Sequence, residues 1–250
     1  MEKIELLKKE CQLVVKSNDL IQKSRFSLSA QEQKIILYII SQIQPTDTEL
    51  KKYTVSLRDL CDLCGIEYLG QNYKNFKDSV QALSNKSFWL KREDGKEDLV
   101  RWIDGITLDA KNNSFSFTLN EFLKPYLLLL NKNFTHYELT YILKMRSKYS
   151  IRLYEILKSK AHLQQVIMTI DNIKKQLQTA EYDAYKDFRK RVLETAIEEI
   201  NYLSDIYVSF VPIRESRKIV SIKFVIQSKD TTERLLAFSR LDKRRNAHYD

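Results

Sequence analysis

The stretch Tyr185-Lys186-Asp187-Phe188-Arg189-Lys190-Arg191-Val192 repeats an earlier one, Tyr73-Lys74-Asn75-Phe76-Lys77-Asp78-Ser79-Val80, with Tyr, Lys, Phe, a basic residue and Val in register at an offset of 112 residues. A duplicated unit constrains every later assignment, because both copies must satisfy the same fold. Downstream of the second copy, Ala196, Ile200 and Leu203 continue the spacing of Tyr185, Phe188 and Val192. This predicts a long helix, about Asp183 to Leu203, with one apolar side.

Upstream, each copy has the same companions. Tyr53-Thr54-Val55-Ser56 precedes Leu57, Leu60 and Cys64, and Val166-Ile167-Met168-Thr169 precedes Ile170, Ile173 and Leu177. The β-branched runs predict strands, and Ser56 and Thr169 stand where a hydroxyl accepts from the free N–H groups of a helix start. One more helix lies before each strand. Ser29 to Ile43 opens with the capping-box pattern Ser29-x-x-Glu32 and carries Ile35, Ile36, Ile39, Ile40 and Ile43, while Lys148 to Lys160 carries Ile151, Tyr154 and Leu157.

After each long helix come strand-like runs: Phe88–Lys91, Val100–Leu108 and Ser114–Leu119 in the first half, and Ile206–Val211 and Ile219–Ile226 around the basic turn Arg214-Glu215-Ser216-Arg217-Lys218 in the second. Three helices followed by a hairpin make a winged helix-turn-helix. The fold class expected is therefore α+β, with two tandem winged-helix domains related by internal duplication. The expected bounds are residues 1–130, residues 131–228 and a basic tail, 229–250, with Lys243-Arg244-Arg245.

Charge points to a polyanion. The chain has a net charge of +9, and residues 131–250 hold 23 Lys and Arg against 15 Asp and Glu, so the second half carries +8 of it. In helix-turn-helix proteins the start of the second helix enters the major groove, where Lys186, Arg189, Lys190 and Arg191 fall. Arg reads guanine O6 and N7 with two hydrogen bonds, whereas Lys more often supplies a point charge to phosphate. Arg189 and Arg191 are thus the expected base readers, with Arg189 near the apolar arc and reaching out at its tip. Lys144, Arg146, Lys148 and Arg152 form a second basic group, of which Lys148 and Arg152 are expected on phosphates flanking the groove. Arg214, Arg217 and Lys218 would form the wing contact, and Lys74 and Lys77 the first-domain contact.

Other chemistries lack their groups. The four glycines, Gly65, Gly70, Gly95 and Gly105, build no phosphate-cradling G-x-x-x-x-G-K-[ST] loop, which argues against an ATP-driven helicase or loader. His136, His162 and His248 are scattered, unlike the paired histidines that hold a metal beside a nicking tyrosine. Cys61-x-x-Cys64 sits among Leu57, Leu60 and Leu63 with no second pair, and reads as buried packing. Glu198-Glu199 reads as the solvated side of a helix. No enzyme activity, cofactor or metal is expected. Three cysteines, Cys11, Cys61 and Cys64, no 20-residue apolar run and no apolar core after Met1-Glu2-Lys3-Ile4-Glu5 predict a cytoplasmic protein without membrane contact.

Several segments together resemble the iteron-binding plasmid replication initiators, the Rep proteins with duplicated winged helices. They are Asn18-Asp19-Leu20-Ile21, Leu28-Ser29 with Glu32-Gln33-Lys34, Phe134-Thr135, the stretch from Tyr185 to Arg191, and most specifically Ser147-Lys148-Tyr149-Ser150-Ile151-Arg152-Leu153-Tyr154-Glu155. The resemblance spans residues 14–228. It implies a monomer that binds direct repeats of double-stranded DNA with both domains, and a dimer, joined through the first, that represses the initiator's own synthesis at an operator. It also implies contacts with a host initiator and replicative helicase. Two other readings stay open from the residues: a winged-helix transcriptional regulator without an origin role, and a DNA-nicking enzyme with a tyrosine nucleophile.

Overall fold

The computed structural model describes residues 13–44, 47–58, 61, 70–92, 94–109 and 111–246, apart from the side chains at 70–73, 76, 238 and 240–246. It divides into two compact units, 1–24 with 31–143 and 25–30 with 144–250.

The first unit begins with strand Leu13–Ser17, paired antiparallel with Phe134–Glu138. Ser17 ends the strand and caps helix Asn18–Lys23, its hydroxyl accepting from the Leu20 N–H at 3.1 Å. Helix Ala30–Ser41 is buried almost all round: Leu37 and Tyr38 are interior alongside the expected Ile35, Ile36, Ile39 and Ile40. Its Glu32 carboxylate is turned to Lys86 Nζ at 2.7 Å. Strands Lys52–Ser56, Ser114–Leu119 and Ile103–Asp109 make a sheet in which Tyr53 faces Phe117 and Val55 faces Phe115, alternate residues entering the core. Helix Gly70–Ser84 buries Val80 and Leu83 and leads into the hairpin Ser87–Lys91 and Glu97–Arg101. The run expected as one strand from Val100 to Leu108 is two, divided at Trp102. That indole is buried and stacks on Phe88 with ring centroids 4.5 Å apart, so the chain leaves one sheet there and enters another. Most of the short helix expected after Ser56, with Leu60, Leu63 and Cys64, lies outside the described residues, as do Cys11, Gly65 and His248. Cys61 is buried.

In the second unit, helix Lys148–Lys158 starts at Ser147, whose hydroxyl accepts from the Tyr149 N–H at 3.1 Å. Strand Gln165–Thr169 follows, and the Thr169 hydroxyl accepts from the Asn172 N–H at 3.2 Å to cap helix Ile170–Leu177. That helix stops at Gln178 in the left-handed region, φ 51°. The next helix, 185–203, runs through segments Tyr185–Phe188, Arg189–Glu194 and Thr195–Leu203. Strands Ile206–Glu215 and Lys218–Ser228 form a long hairpin, whose second strand also pairs with Gln165–Thr169. Phe188, Val192, Ala196, Ile200 and Leu203 are closed to water, as are Ile151, Tyr154, Leu157, Val208, Phe224 and Ile226, and the segment Thr195–Leu203 packs on helix Lys148–Lys158 and on strand Ile206–Glu215.

Two expected bounds are corrected. Residues 131–143 belong to the first unit, because Phe134–Glu138 completes a ladder with Leu13–Ser17 and carries Tyr137 into that core. The stretch after residue 228 is not a tail: Thr231–Asn246 is a helix of the second unit with Ala237 fully buried. A reciprocal capping box starts it, Asp230 Oδ1 accepting from the Glu233 N–H at 2.8 Å and Glu233 Oε2 from the Asp230 N–H at 3.0 Å.

Candidate nucleic-acid interface

Helix 185–203 buries its apolar side and leaves Lys186, Arg189, Lys190 and Arg191 exposed near its start. The helix is wider there than expected. Arg189–Glu194 follow an i→i+5 hydrogen-bonding pattern, which adds nearly a residue per turn, so steps of 100° no longer place these side chains. Glu194 lies five residues on from Arg189, a spacing that meets across a widened turn and not across an ordinary one. Accordingly Arg189 Nε donates to Glu194 Oε1 at 2.8 Å, with both side chains about half exposed, and the guanidinium stands 6.0 Å from the Phe210 ring of the hairpin.

The hairpin turn is tighter than its sequence suggests. Glu215 pairs with Lys218, leaving Ser216 and Arg217 as the loop, and Ser216 takes φ 54°. Arg214 and Lys218 therefore stand at strand ends, and all three wing cations are exposed. A register shift between Ile213 and Arg214 leaves Val220 unmatched, a β-bulge beside the tip of the wing.

The basic group ahead of helix Lys148–Lys158 separates into two environments. Arg146 is exposed, and Lys148 is half exposed with its Nζ 4.9 Å from the Tyr149 ring. Arg152 is interior, only 3% exposed. Its guanidinium lies 4.5 Å from the Phe26 ring and 3.8 Å from the carboxylate of Glu155, itself buried. The expectation of a phosphate contact at Arg152 is corrected on this ground: residues Ser150 to Leu157 are all buried, so a side chain one turn into this helix enters the core. Lys74 and Lys77 are exposed on helix Gly70–Ser84.

Several residues that organise this surface escaped the sequence reading. Lys174 Nζ donates to the Tyr182 and Asp183 carbonyls, the second at 3.1 Å, and lies 5.6 Å from the Phe188 ring, fastening the turn between the two helices. The Tyr149 hydroxyl donates to Glu181 in that turn at 2.8 Å. Burial and then the Glu181 carboxylate hold the Tyr149 hydroxyl above the usual phenol range. Burial pushes Glu181 up, but its own backbone N–H and the Tyr149 hydroxyl outweigh it, and its carboxyl lies below the usual range. At the far end of helix 185–203, the buried Lys229 donates to the Asn201 and Ser204 carbonyls at 2.5 and 2.8 Å, which are acceptors a helix C-terminus leaves unpaired. Glu199, expected in solvent, accepts from the backbone N–H groups of Arg146 and Ser147.

A helix-turn-helix whose second helix and hairpin tip both present exposed cations defines a winged-helix DNA-binding protein, and the chain holds two winged-helix units. The model of the initiator replication protein, first winged helix, matches residues 13–158, and that of the initiator Rep protein, second winged helix, matches residues 169–226. The chain belongs to this family of replication initiators. Among solved structures, the Pi initiator protein in complex with iteron DNA is similar at 22% identity with a TM-score of 0.72, over 88% of this chain and 99% of that one. Domains 2 and 3 of RctB are similar at 13% identity with a TM-score of 0.48, over 83% of this chain and 86% of that one. No helix among the described residues is long and apolar enough to cross a membrane.

Proposed function

We propose that this chain initiates plasmid replication by binding direct repeats in origin DNA as a monomer. The second unit reads each repeat in the major groove through Lys186, Arg189, Lys190 and Arg191. Lys148 with Arg146, and the wing residues Arg214, Arg217 and Lys218, meet phosphates on either side. Lys74 and Lys77 give the first unit its own contact. Arg152 has no part in this surface.

The observation that carries the reading is the coincidence, in one unit of a replication-initiator chain, of exposed cations at the start of a reading helix with exposed cations at a hairpin tip. The work done is binding: protein–DNA contacts offset the cost of deforming and opening the duplex, and the chain performs no catalysis and needs no cofactor or metal. A dimer formed through the first unit represses the chain's own gene, and the bound monomer recruits a host initiator and a replicative helicase in the cytoplasm of a bacterial host.

The test is a band-shift series on DNA flanking the coding gene, with random competitor, from 50 to 200 mM salt. A ladder of discrete bands, with affinity falling about 10³–10⁵-fold over that range if six to ten phosphates are neutralised, is the expected result. A single dimer-sized band on a palindrome supports a transcriptional regulator instead. Covalent protein–DNA adducts on supercoiled substrate overturn the non-catalytic reading.

A further inference from the structure

Glu199 sits in the C-terminal half of the reading helix, and its carboxylate points at main chain more than 50 residues earlier. One oxygen accepts from the Arg146 N–H at 3.0 Å, and the other accepts from the Arg146 and Ser147 N–H groups at 3.2 and 3.1 Å. Hydrogen bonds to an ionised acceptor are about twice as strong as neutral ones, and two adjacent donors on one carboxylate fix direction as well as distance. The segment is held from its other side too. The Ser147 hydroxyl accepts from the Tyr149 N–H at 3.1 Å, and the Tyr149 hydroxyl donates to Glu181, in the turn before the reading helix, at 2.8 Å. Residues 146–149 are thus tied at one end to the reading helix and at the other to the turn that launches it.

We infer that Glu199 is a positioning residue for DNA binding: it holds the Arg146 and Lys148 cations in fixed register with the reading helix, so that phosphate and base contacts are made together. This rests on the reading of Arg146 and Lys148 as phosphate contacts. Two long basic side chains lose rotamer freedom when they meet phosphates, and a main chain already fixed spares the further cost of ordering the segment. Simple charge and positioning lead to opposite outcomes. Removing a carboxylate near a polyanion should strengthen binding, whereas removing a positioning carboxylate should weaken it.

The experiment compares Glu199→Ala, Glu199→Gln and the neighbouring Glu198→Gln in full-length protein, each checked for folding by circular dichroism, on direct-repeat and random DNA across a salt series. Glu199→Ala is expected to weaken repeat binding about tenfold and to lower the salt slope by one to two units with base preference unchanged. Glu199→Gln keeps the shape and one acceptor oxygen, and is expected to lose about threefold. Glu198→Gln, exposed on the same helix, is expected to bind as tightly as the parent or slightly more so. In an Arg146→Ala/Lys148→Ala background, Glu199→Ala is expected to cost nothing further. Equal losses from Glu199→Ala in both backgrounds, or an unchanged salt slope, overturn the positioning role and leave the phosphate reading intact. An unchanged slope in the Arg146→Ala/Lys148→Ala protein itself overturns the phosphate reading, and the inference with it.

Discussion

Lys148 and Arg152 stand one turn apart at the head of the same helix and end in opposite environments. Lys148 opens the helix at the surface, whereas Arg152 is sealed between the Phe26 ring and Glu155. Breaking a buried ion pair by removing one of its members is strongly destabilising. Arg152→Ala is therefore expected to cost about 3–5 kcal/mol of stability, read from urea unfolding, with the salt slope of DNA binding unchanged in the folded fraction. Lys148→Ala should do the reverse, lowering the slope by about one unit and barely moving the unfolding midpoint. The sequence showed both as equal members of a basic run. The signal that separates them, Glu155 three residues after Arg152, is the spacing of a helical ion pair. Tyr149 makes a prediction of its own. Its hydroxyl helps hold the Glu181 carboxyl below the usual range, so Tyr149→Phe should raise that pKa, as followed by an NMR titration of the side chain. Because the folded value is the depressed one, the stabilisation from this pair is present above the ordinary carboxylate range and is lost as pH falls through the folded value.

Among the elements, the repeated stretch made helix 185–203 and the strand before it legible, because a period-3.6 pattern and a β-branched run survive in any environment. Thr169 caps where its position before Ile170 says it should. Replacing it with Ala should cost about 1 kcal/mol, measured as a shift in the unfolding midpoint. Two things were hidden. The i→i+5 turn at Arg189–Glu194 leaves no signature in composition, since Val192 and Leu193 are both buried and either fits an ordinary helix. The helix Thr231–Asn246 looks like a tail in the sequence because its apolar residues are few and its charges many. Its sequence marker, Asp230-x-x-Glu233, is a capping pattern with Asp in the place of Ser, and Lys229 joins it to the end of helix 185–203. Asp230→Ala should loosen this helix by about 1 kcal/mol, read as faster amide exchange over residues 231–240.

At the scale of the molecule, composition located the charge but not the boundary. A count by halves cannot show that Phe134–Glu138 returns to pair with the first strand, because such a ladder closes a separation of more than 100 residues and leaves no local trace. A fragment 13–143 should accordingly unfold cooperatively, whereas 13–130, with Leu13–Ser17 unpaired and part of its core open, should unfold at lower denaturant or aggregate. In the proposed function, the second unit reads guanines in the major groove of each repeat with the arginines of helix 185–203. Methylation interference tests it most directly, since a methyl on guanine N7 blocks the bidentate arginine contact from the groove side. With direct-repeat origin DNA, interference is expected at the same guanines in every repeat, with one guanine losing its effect in Arg191→Ala and another in Arg189→Ala. Interference unchanged in both variants, or absent from the repeats altogether, would contradict it.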